Sequence, residues 1–308
     1  MSKTAYLSGP MRGFPQWNFP AFDRNAAFLR DNGWKIISPA EVDREIGFDE
    51  TDETAVFTEA DFEVAIRRDY VALTEADAII FMPGWEKSTG AKLESTFADA
   101  LKLDRYRVDA DKSYLEKELV IGLAGVARVG KNTIAQEFVD NAGFEQAGFA
   151  DSLKNMLYAL NPRLPDPNWE EVGDSFGHDG TVKVRDYVDK FGWEGAKSNP
   201  AIRQSLQILG TEAGRDVLGE NIWIQTLFTK PHSARLVISD VRYFNEASAI
   251  KERGGYVIRI NRPGIAATNS HISEKLDFES DYEIMNDRTP KETYISIVDY
   301  LSSQGIEL

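Results

Sequence analysis

Apolar residues along this chain fall into two rhythms. The runs Thr4-Ala-Tyr-Leu7, Trp34-Lys-Ile-Ile-Ser38 and Ala78-Ile-Ile-Phe-Met82 are nearly continuous and end in turn residues, which reads as buried strands. Between them, Phe19 to Asn32 carries Phe22, Ala26 and Leu29 at helical spacing and closes on Gly33, and Ala60 to Leu73 reads as a second helix. Gly90 opens a third helix, on which Leu93, Phe97 and Leu101 share the face expected to be buried. Tyr106-Arg-Val108 completes a last strand. Strands alternating with helices over residues 1–110 predict a parallel sheet covered on both sides.

The polar stretch Asp109 to Glu118 interrupts this rhythm, so residues 111–117 are expected to link a first domain, 1–110, to a second, 118–308. The second opens on the apolar run Glu118-Leu-Val-Ile-Gly-Leu-Ala124. Residues 125–133 follow, Gly-Val-Ala-Arg-Val-Gly-Lys-Asn-Thr, and then the helical run Thr133-Ile-Ala-Gln-Glu-Phe-Val139. Strand, glycine loop, lysine and helix form the arrangement that aims backbone N–H groups and a helix N-terminus at a polyphosphate. ATP is therefore the expected ligand. Gly125 and Gly130 allow close backbone approach, and Lys131 reaches for the β- and γ-phosphates. The hydroxyl that normally follows such a lysine is replaced by Asn132, with Thr133 next. Either Asn132 meets a magnesium ion through water or Thr133 serves from one position later.

Composition narrows the chemistry. The chain has 308 residues, 42% hydrophobic and 28% charged, the profile of a soluble globular protein. It contains no cysteine and 3 histidines, His178, His232 and His271, far apart in sequence, which excludes disulfides, thiol catalysis and a structural zinc site. Mg2+, held by oxygen ligands and phosphates, is the metal that fits. The formal net charge of −15 argues against nucleic acid as a partner. No apolar run approaches the ~20 residues of a membrane span, and no signal-peptide pattern opens the chain. A cytoplasmic enzyme acting on small nucleotides is expected, in the host cytoplasm if the gene is viral.

Five separated runs in the second half point further. Phe149-Ala-Asp-Ser-Leu-Lys154, Arg203-Gln-Ser-Leu-Gln-Ile-Leu-Gly-Thr-Glu-Ala-Gly-Arg215, Ile238-Ser-Asp-Val-Arg-Tyr-Phe-Asn-Glu246, Gly254 to Gly264 and His271-Ile-Ser-Glu274 resemble the signature runs of viral deoxynucleoside monophosphate kinases. The resemblance implies transfer of the ATP γ-phosphate to a deoxynucleoside monophosphate. It also implies a P-loop kinase fold, a parallel sheet with a helical substrate region. Phosphoryl transfer gathers negative charge, so cationic clamps are needed. Arg203, Arg215 and Arg242 offer forked donors, and Lys154 is a further candidate for the acceptor phosphate. By resemblance, Asp240, Arg242, Asn245 and Glu246 surround the acceptor, while Asp151 orients it or a metal-bound water. Gln207 and Thr211 belong to the same acceptor set, although Thr211 and Glu212 equally suit a helix turn. Residues Asp166 to Ser198 fit either a lid or an ordinary surface excursion.

The first half resembles the nucleoside 2-deoxyribosyltransferase superfamily. The residues concerned are Tyr6-Leu-Ser-Gly-Pro-Met-Arg-Gly13, the pair Asp69 and Asp77, and Gly84-Trp-Glu-Lys-Ser-Thr-Gly-Ala-Lys-Leu-Glu94. That superfamily includes deoxynucleoside monophosphate N-glycosidases and implies a flavodoxin/Rossmann-like sheet, with subunits that complete one another's sites in a homo-oligomer. Breaking an N-glycosidic bond passes through an oxocarbenium-like state that a carboxylate can attack or stabilise. Glu94, expected in the first turn of its helix where the dipole favours an ionised carboxylate, is the candidate. Asp69 is its implied partner and Tyr6 its positioner. Ser88, in place of a carboxylate, and Arg12-Gly13 suit a 5′-phosphate. Ser8, Gly9, Asp77 and Gly90 complete the nucleotide-binding set, and Pro10, Trp17 and Trp85 are candidates to shape the base pocket. Ser88 also suits a simple helix cap. The two halves together read as a bifunctional deoxynucleotide enzyme of the α/β class. The alternatives are a kinase carrying a silent first domain or a nucleotide sensor without chemistry.

Overall fold

A computed structural model describes residues 3–52, 58–167, 180–265 and 276–308. The first sheet contains β1 (Thr4–Ser8), β2 (Lys35–Ile37), β3 (Ala78–Phe81), β4 (Asp104–Asp109) and β5 (Tyr114–Lys117) in the order β2-β1-β3-β4-β5. The first four run parallel, while β5 is antiparallel to β4. Helices α1 (Phe19–Asp31) and α2 (Pro39–Glu45) and helices α3 (Glu59–Thr74) and α4 (Thr89–Leu101) contribute to separate cores. Strand alternation decides which core each residue joins. In β1, Ala5 and Leu7 join the cluster with Phe22, Ala26 and Leu29 of α1, whereas Tyr6 joins Leu73 of α3 and Ala91 and Ala98 of α4.

Two sequence expectations change here. Residues 111–117 are not a linker: Tyr114–Lys117 pairs along β4, Tyr106 opposite Lys117 and Asp109 opposite Tyr114. The segment is polar because it forms a sheet edge, where polar side chains meet solvent and discourage further pairing. The first sheet is also not wholly parallel, since β5 reverses direction.

Only Glu118 separates β5 from β6 (Leu119–Ala124), the central strand of the second sheet. Helix α5 (Lys131–Ala142) and β7 (Glu145–Ala147) follow. The chain then builds α6 (Asp151–Leu160), the antiparallel pair β8 (Arg163–Pro165) and β9 (Thr181–Lys183), α7 (Val184–Ala196), α8 (Pro200–Ile208) and α9 (Ile222–Phe228). It continues through β10 (Arg235–Val241), α10 (Phe244–Glu252), β11 (Tyr256–Asn261), β12 (Tyr282–Met285) and α11 (Pro290–Ser303). The second sheet has the order β12-β11-β6-β10-β7, with β12, β11, β6 and β10 mutually parallel. Leu119, Ile121, Leu123, Val237 and Ile258 bury one face against Ile134 and Phe138 of α5 and Ile297 and Leu301 of α11. On the other face α10 packs so closely that a Cβ on Gly122 would lie 2.5 Å from Ile250 Cδ1.

The chain divides into two compact units, Met1–Gln146 with Thr229–Leu308, and Ala147–Phe228. Both sheets lie in the first. The second is mostly helical, with the β8–β9 pair and its own core of Leu157, Val184, Tyr187, Ala196 and Ile202. Among the described residues, no helix is long and apolar enough to cross a membrane. His178, the motif His271–Glu274 and part of the Asp166–Ser198 excursion lie outside the described residues.

Candidate functional site

At the carboxyl edge of the first sheet, alternation along β1 puts Tyr6 and Ser8 on the face shared with α3 and α4. There Ser8 Oγ donates to Glu94 Oε2 at 2.5 Å, and Tyr6 Oη donates to Glu94 Oε1 at 3.2 Å. Asp69 of α3 lies near enough to the Tyr6 phenol for its negative charge to hold the phenolic proton in place. Glu94 and Asp69 are 7% and 8% exposed. This edge, where β1 and β3 diverge to connections on opposite faces, is where open α/β sheets hold ligands.

The protonation of this trio follows from its burial. Desolvation pushes the Glu94 carboxyl well up, the negative charge of Asp69 pushes further, and Ser8 and Tyr6 pull partly back. Burial also raises Asp69, against the pull of Arg68 and Tyr6. Arg68 lies 3.9 Å from Asp69 but spends its closest contact, 2.6 Å, on Asp43. Burial and the two carboxylates push Tyr6 well above its ordinary value, so the phenol keeps its proton.

Two expectations about Glu94 are overturned. Leu93 is 36% exposed, and the inward face of α4 is Ala91, Glu94, Ser95 and Ala98. The helix is rotated because Arg105, buried beneath it, bonds the Ser95 hydroxyl at 3.1 Å and Asp99 at 2.9 Å. Glu94 is also the sixth residue of α4, in its second turn, beyond the reach of the terminal dipole. Its carboxyl is accordingly raised rather than held ionised.

Other first-half candidates are divided. Ser88 Oγ accepts from Ala91 N at 3.3 Å and caps α4, with Gly90 in the same turn. Gly9 and Gly13 follow β1, and the exposed Arg12 lays its guanidinium 4.6 Å from the centre of the Phe62 ring. Asp77 is not brought to this edge. Its carboxylate accepts from Thr4 N at 2.9 Å at the amino ends of β1 and β3, the far side of the sheet. Trp85 is buried and stacks on Phe81 with centroids 4.2 Å apart, while Trp17 packs edge-on against Phe48. Trp85 does line one wall of a cavity of about 270 Å³ with Arg107, Asp109 and Tyr114.

The second cluster lies at the carboxyl edge of the other sheet. Gly125 takes φ +146°, and a Cβ there would lie 2.5 Å from the Ile260 carbonyl. Gly130 takes φ +101°, so both glycines hold conformations that side chains avoid. Lys131 begins α5, two residues earlier than the apolar pattern suggested, and is 9% exposed. Its Nζ reaches back across the loop to the carbonyls of Gly125 at 2.7 Å and Val126 at 2.9 Å. Asn132 and Thr133 are exposed in the same turn.

The neighbouring strand β10 ends level with this loop, since Val241 pairs with Ala124. Asp240 and the exposed Arg242 thus share its edge. Glu246 does not present a ligand group there. It is buried, and its carboxylate accepts from the backbone N–H of Arg242 at 2.8 Å and of Tyr243 at 3.2 Å, bracing the start of α10. Asn245 supports the same turn through Glu246 N at 3.1 Å.

In the helical unit, Asp151 accepts from Gly148 N and from Lys154 Nζ, each at 2.7 Å, so these two candidates neutralise each other. Arg203 is exposed and donates to the Lys197 carbonyl at 2.9 Å. Four-residue spacing continues from Arg203 and Gln207 on α8 to Thr211 and Arg215. The last two lie in a π-helical segment, Leu209–Arg215, that the sequence reading did not anticipate. Such segments often mark functional sites. Here Trp223 Nε1 donates to the Gly210 carbonyl at 2.9 Å, and the wide turn accommodates the indole.

Sequence reasoning also missed Asn286 and Thr293. Asn286 Nδ2 donates to the Val129 carbonyl at 2.7 Å, and Thr293 Oγ1 donates to Asn286 Oδ1 at 3.0 Å. The available signal was positional: Asn286 directly follows the strand Tyr282–Met285, at the edge where loops gather, before the capping box of Thr289 and Glu292.

Comparison with known proteins divides the chain similarly. Residues 3–105 match a family described as a domain of unknown function, DUF4406. Residues 170–297 match the family described as deoxynucleotide monophosphate kinase. A protein of Acanthamoeba polyphaga mimivirus, named "Putative deoxynucleotide monophosphate kinase", is 36% identical over 197 residues, spanning 58% of this chain and 94% of that protein.

Proposed function

This chain belongs to the deoxynucleotide monophosphate kinase family, and from that premise we propose a bifunctional deoxynucleotide enzyme. Its second half transfers the γ-phosphate of ATP to a deoxynucleoside 5′-monophosphate. Its first half, a flavodoxin-like domain, cleaves or exchanges the N-glycosidic bond of a deoxynucleotide.

The observation that carries the kinase reading is the glycine loop between β6 and α5, with Lys131 drawn across it and the end of β10 beside it. In a P-loop of this kind the ammonium exchanges its carbonyl partners for β- and γ-phosphate oxygens. Arg242 is an exposed cation of the same edge that suits transferred-phosphoryl oxygens, and Arg215 and Lys154 are proposed for the acceptor phosphate. The neutral side-chain oxygens of Asn132 and Thr133, both exposed, suit a magnesium ion carried by the nucleotide. That ion supplies neutralisation of phosphate charge.

For the first half, the support is the carboxylate of Glu94 held at both oxygens by Ser8 and Tyr6, beside Asp69. An oxygen of Glu94 bonds to the anomeric carbon as the carbon–nitrogen bond breaks, and the departing base takes a proton from Asp69. Water, or a second base, then attacks the anomeric carbon, gives its proton to the Asp69 carboxylate and displaces Glu94 as the free carboxylate. The 5′-phosphate is assigned to Arg12 and to the start of α4 at Ser88 and Gly90.

A mixed panel of deoxynucleoside monophosphates, incubated with ATP and magnesium and analysed by mass spectrometry, tests both halves. Nucleoside diphosphate reports the kinase and free base the first half. EDTA should stop the former and spare the latter. No diphosphate from any member of the panel would overturn the kinase assignment, and no free base the other.

A further inference from the structure

The glycine loop is braced by two residues that lie outside it in the chain, Asn286 and Thr293. Asn286, directly after β12, donates its Nδ2 to the Val129 carbonyl at 2.7 Å. Its backbone N–H is anchored to the Asn261 carbonyl at 2.7 Å, which fixes it to the end of β11. Thr293, buried on α11, places its hydroxyl 3.0 Å from Asn286 Oδ1 and 3.3 Å from the Thr289 carbonyl. The shorter contact sets the carboxamide with its oxygen towards Thr293 and its nitrogen towards the loop. Gly130 leaves the room required, because a Cβ there would lie 2.5 Å from Asn286 Nδ2.

We propose that Asn286, oriented by Thr293, is a positioning residue for nucleoside triphosphate binding: it fixes the plane of the Val129–Gly130 peptide. A trans peptide is planar and carries its C=O and the following N–H on opposite sides. Pinning the Val129 carbonyl on Asn286 therefore turns the Gly130 N–H the opposite way, towards the concave side that Lys131 spans. Backbone N–H groups of such a loop are the donors to polyphosphate oxygens. Without the brace, the Val129 carbonyl is free to rotate inwards and set a negative dipole against the phosphates. The inference rests on the reading of this loop as the ATP site.

The experiment compares Asn286→Ala, Thr293→Val, Thr293→Ser and Lys131→Met in the full-length chain. ATP affinity is measured by calorimetry, and KM for each substrate and kcat by kinase assay. Loss of one charge-facing hydrogen bond predicts ATP binding about tenfold weaker in Asn286→Ala. KM for ATP should rise in step, with KM for the monophosphate and the melting temperature little changed. Thr293→Val should follow in the same direction, and Thr293→Ser, which keeps the hydroxyl, should restore affinity. Unchanged ATP affinity in Asn286→Ala, with Lys131→Met disabled, overturns the positioning role and leaves the loop assignment standing. An equal rise in both KM values, or a loss of affinity only in step with melting, also overturns it. Unchanged ATP affinity in Lys131→Met overturns the loop assignment itself.

Discussion

Arg253, at the end of α10, sets its guanidinium 2.5 Å from the carboxylate of Asp99 on α4. The same carboxylate receives Arg105 at 2.9 Å, and Arg105 continues to Glu118 at 2.7 Å. Glu118 also receives Arg107 at 2.7 Å, which in turn donates to the His232 carbonyl. A helix of each sheet is thus tied into one buried chain of charges around the residue that separates β5 from β6.

Glu118 should therefore control acid stability. Burial alone would raise its carboxyl, but Arg105 and Arg107 outweigh that and hold it at about 2. A depressed value means stabilisation that is present above the ordinary carboxylate range and lost as pH falls towards 2, worth about 3 kcal/mol. Glu118→Gln should lose about 3 kcal/mol near pH 7, because the buried Arg105 and the half-buried Arg107 lose a shared counter-charge and keep only Asp99 and Glu86. Denaturant unfolding at pH 7 and pH 3 checks this, and the gap between variant and wild type should narrow at the lower pH.

Glu94 should behave in the opposite sense. Its carboxyl is raised by burial first and by Asp69 second, so protonated Glu94 stabilises the fold and that contribution fades as pH rises through the raised value. Glu94→Gln, which cannot ionise, should melt close to wild type at pH 5 and several degrees higher at pH 9. Base release should vanish in this variant while kinase turnover persists. In the wild type, base release should rise and then fall with pH, because it needs Glu94 ionised while Asp69 still holds its proton. A flat pH profile would exclude it as the nucleophile.

Lys131→Met should lower phosphoryl transfer by about 10²–10³-fold, the scale of removing one preorganised electrostatic donor. Base release should be untouched. Coupled-enzyme detection of ADP separates the two activities.

Gly214→Ala should disrupt the π-helical segment. A Cβ there would lie 2.5 Å from the Trp223 ring and 2.7 Å from the Leu209 carbonyl, so one of them must shift. Overpacking of this kind costs about 1–3 kcal/mol. Trp223 fluorescence should report the displacement, and KM for the monophosphate should rise more than KM for ATP.

Much of the strand framework was legible because buried strands such as Ala78–Phe81 and Leu119–Ala124 are almost wholly apolar. The glycine loop was equally legible, since Gly125 and Gly130 occupy conformations that few other residues accept. Tyr6, Ser8, Asp69 and Glu94 were named from sequence, and they meet in space. Their protonation was not legible: it depends on how α4 is rotated, and of the Leu93-Phe97-Leu101 pattern only Phe97 and Leu101 pack on the core, while Leu93 is exposed and Glu94 turns inward. The pattern failed because a buried guanidinium, Arg105, holds the helix by Ser95 and Asp99, which periodicity counts as surface residues. β5 was hidden for a related reason, as an edge strand in a polar segment looks like a linker. Glu246 showed the converse, a motif residue occupied in holding the backbone of its own turn.

The carbonyls of Gly125 and Val126 that hold Lys131 Nζ have a consequence for selectivity. An arriving anion does not meet a bare cation; it must displace two short internal bonds before it gains one. If the loop is the ATP site proposed above, chloride or inorganic phosphate would offer too few contacts to make that exchange favourable, whereas a tethered row of phosphates would contact the backbone and the ammonium together. On the proposed reading of the loop as the ATP site, it should discriminate by the length of the anion, even in a solution crowded with shorter ones.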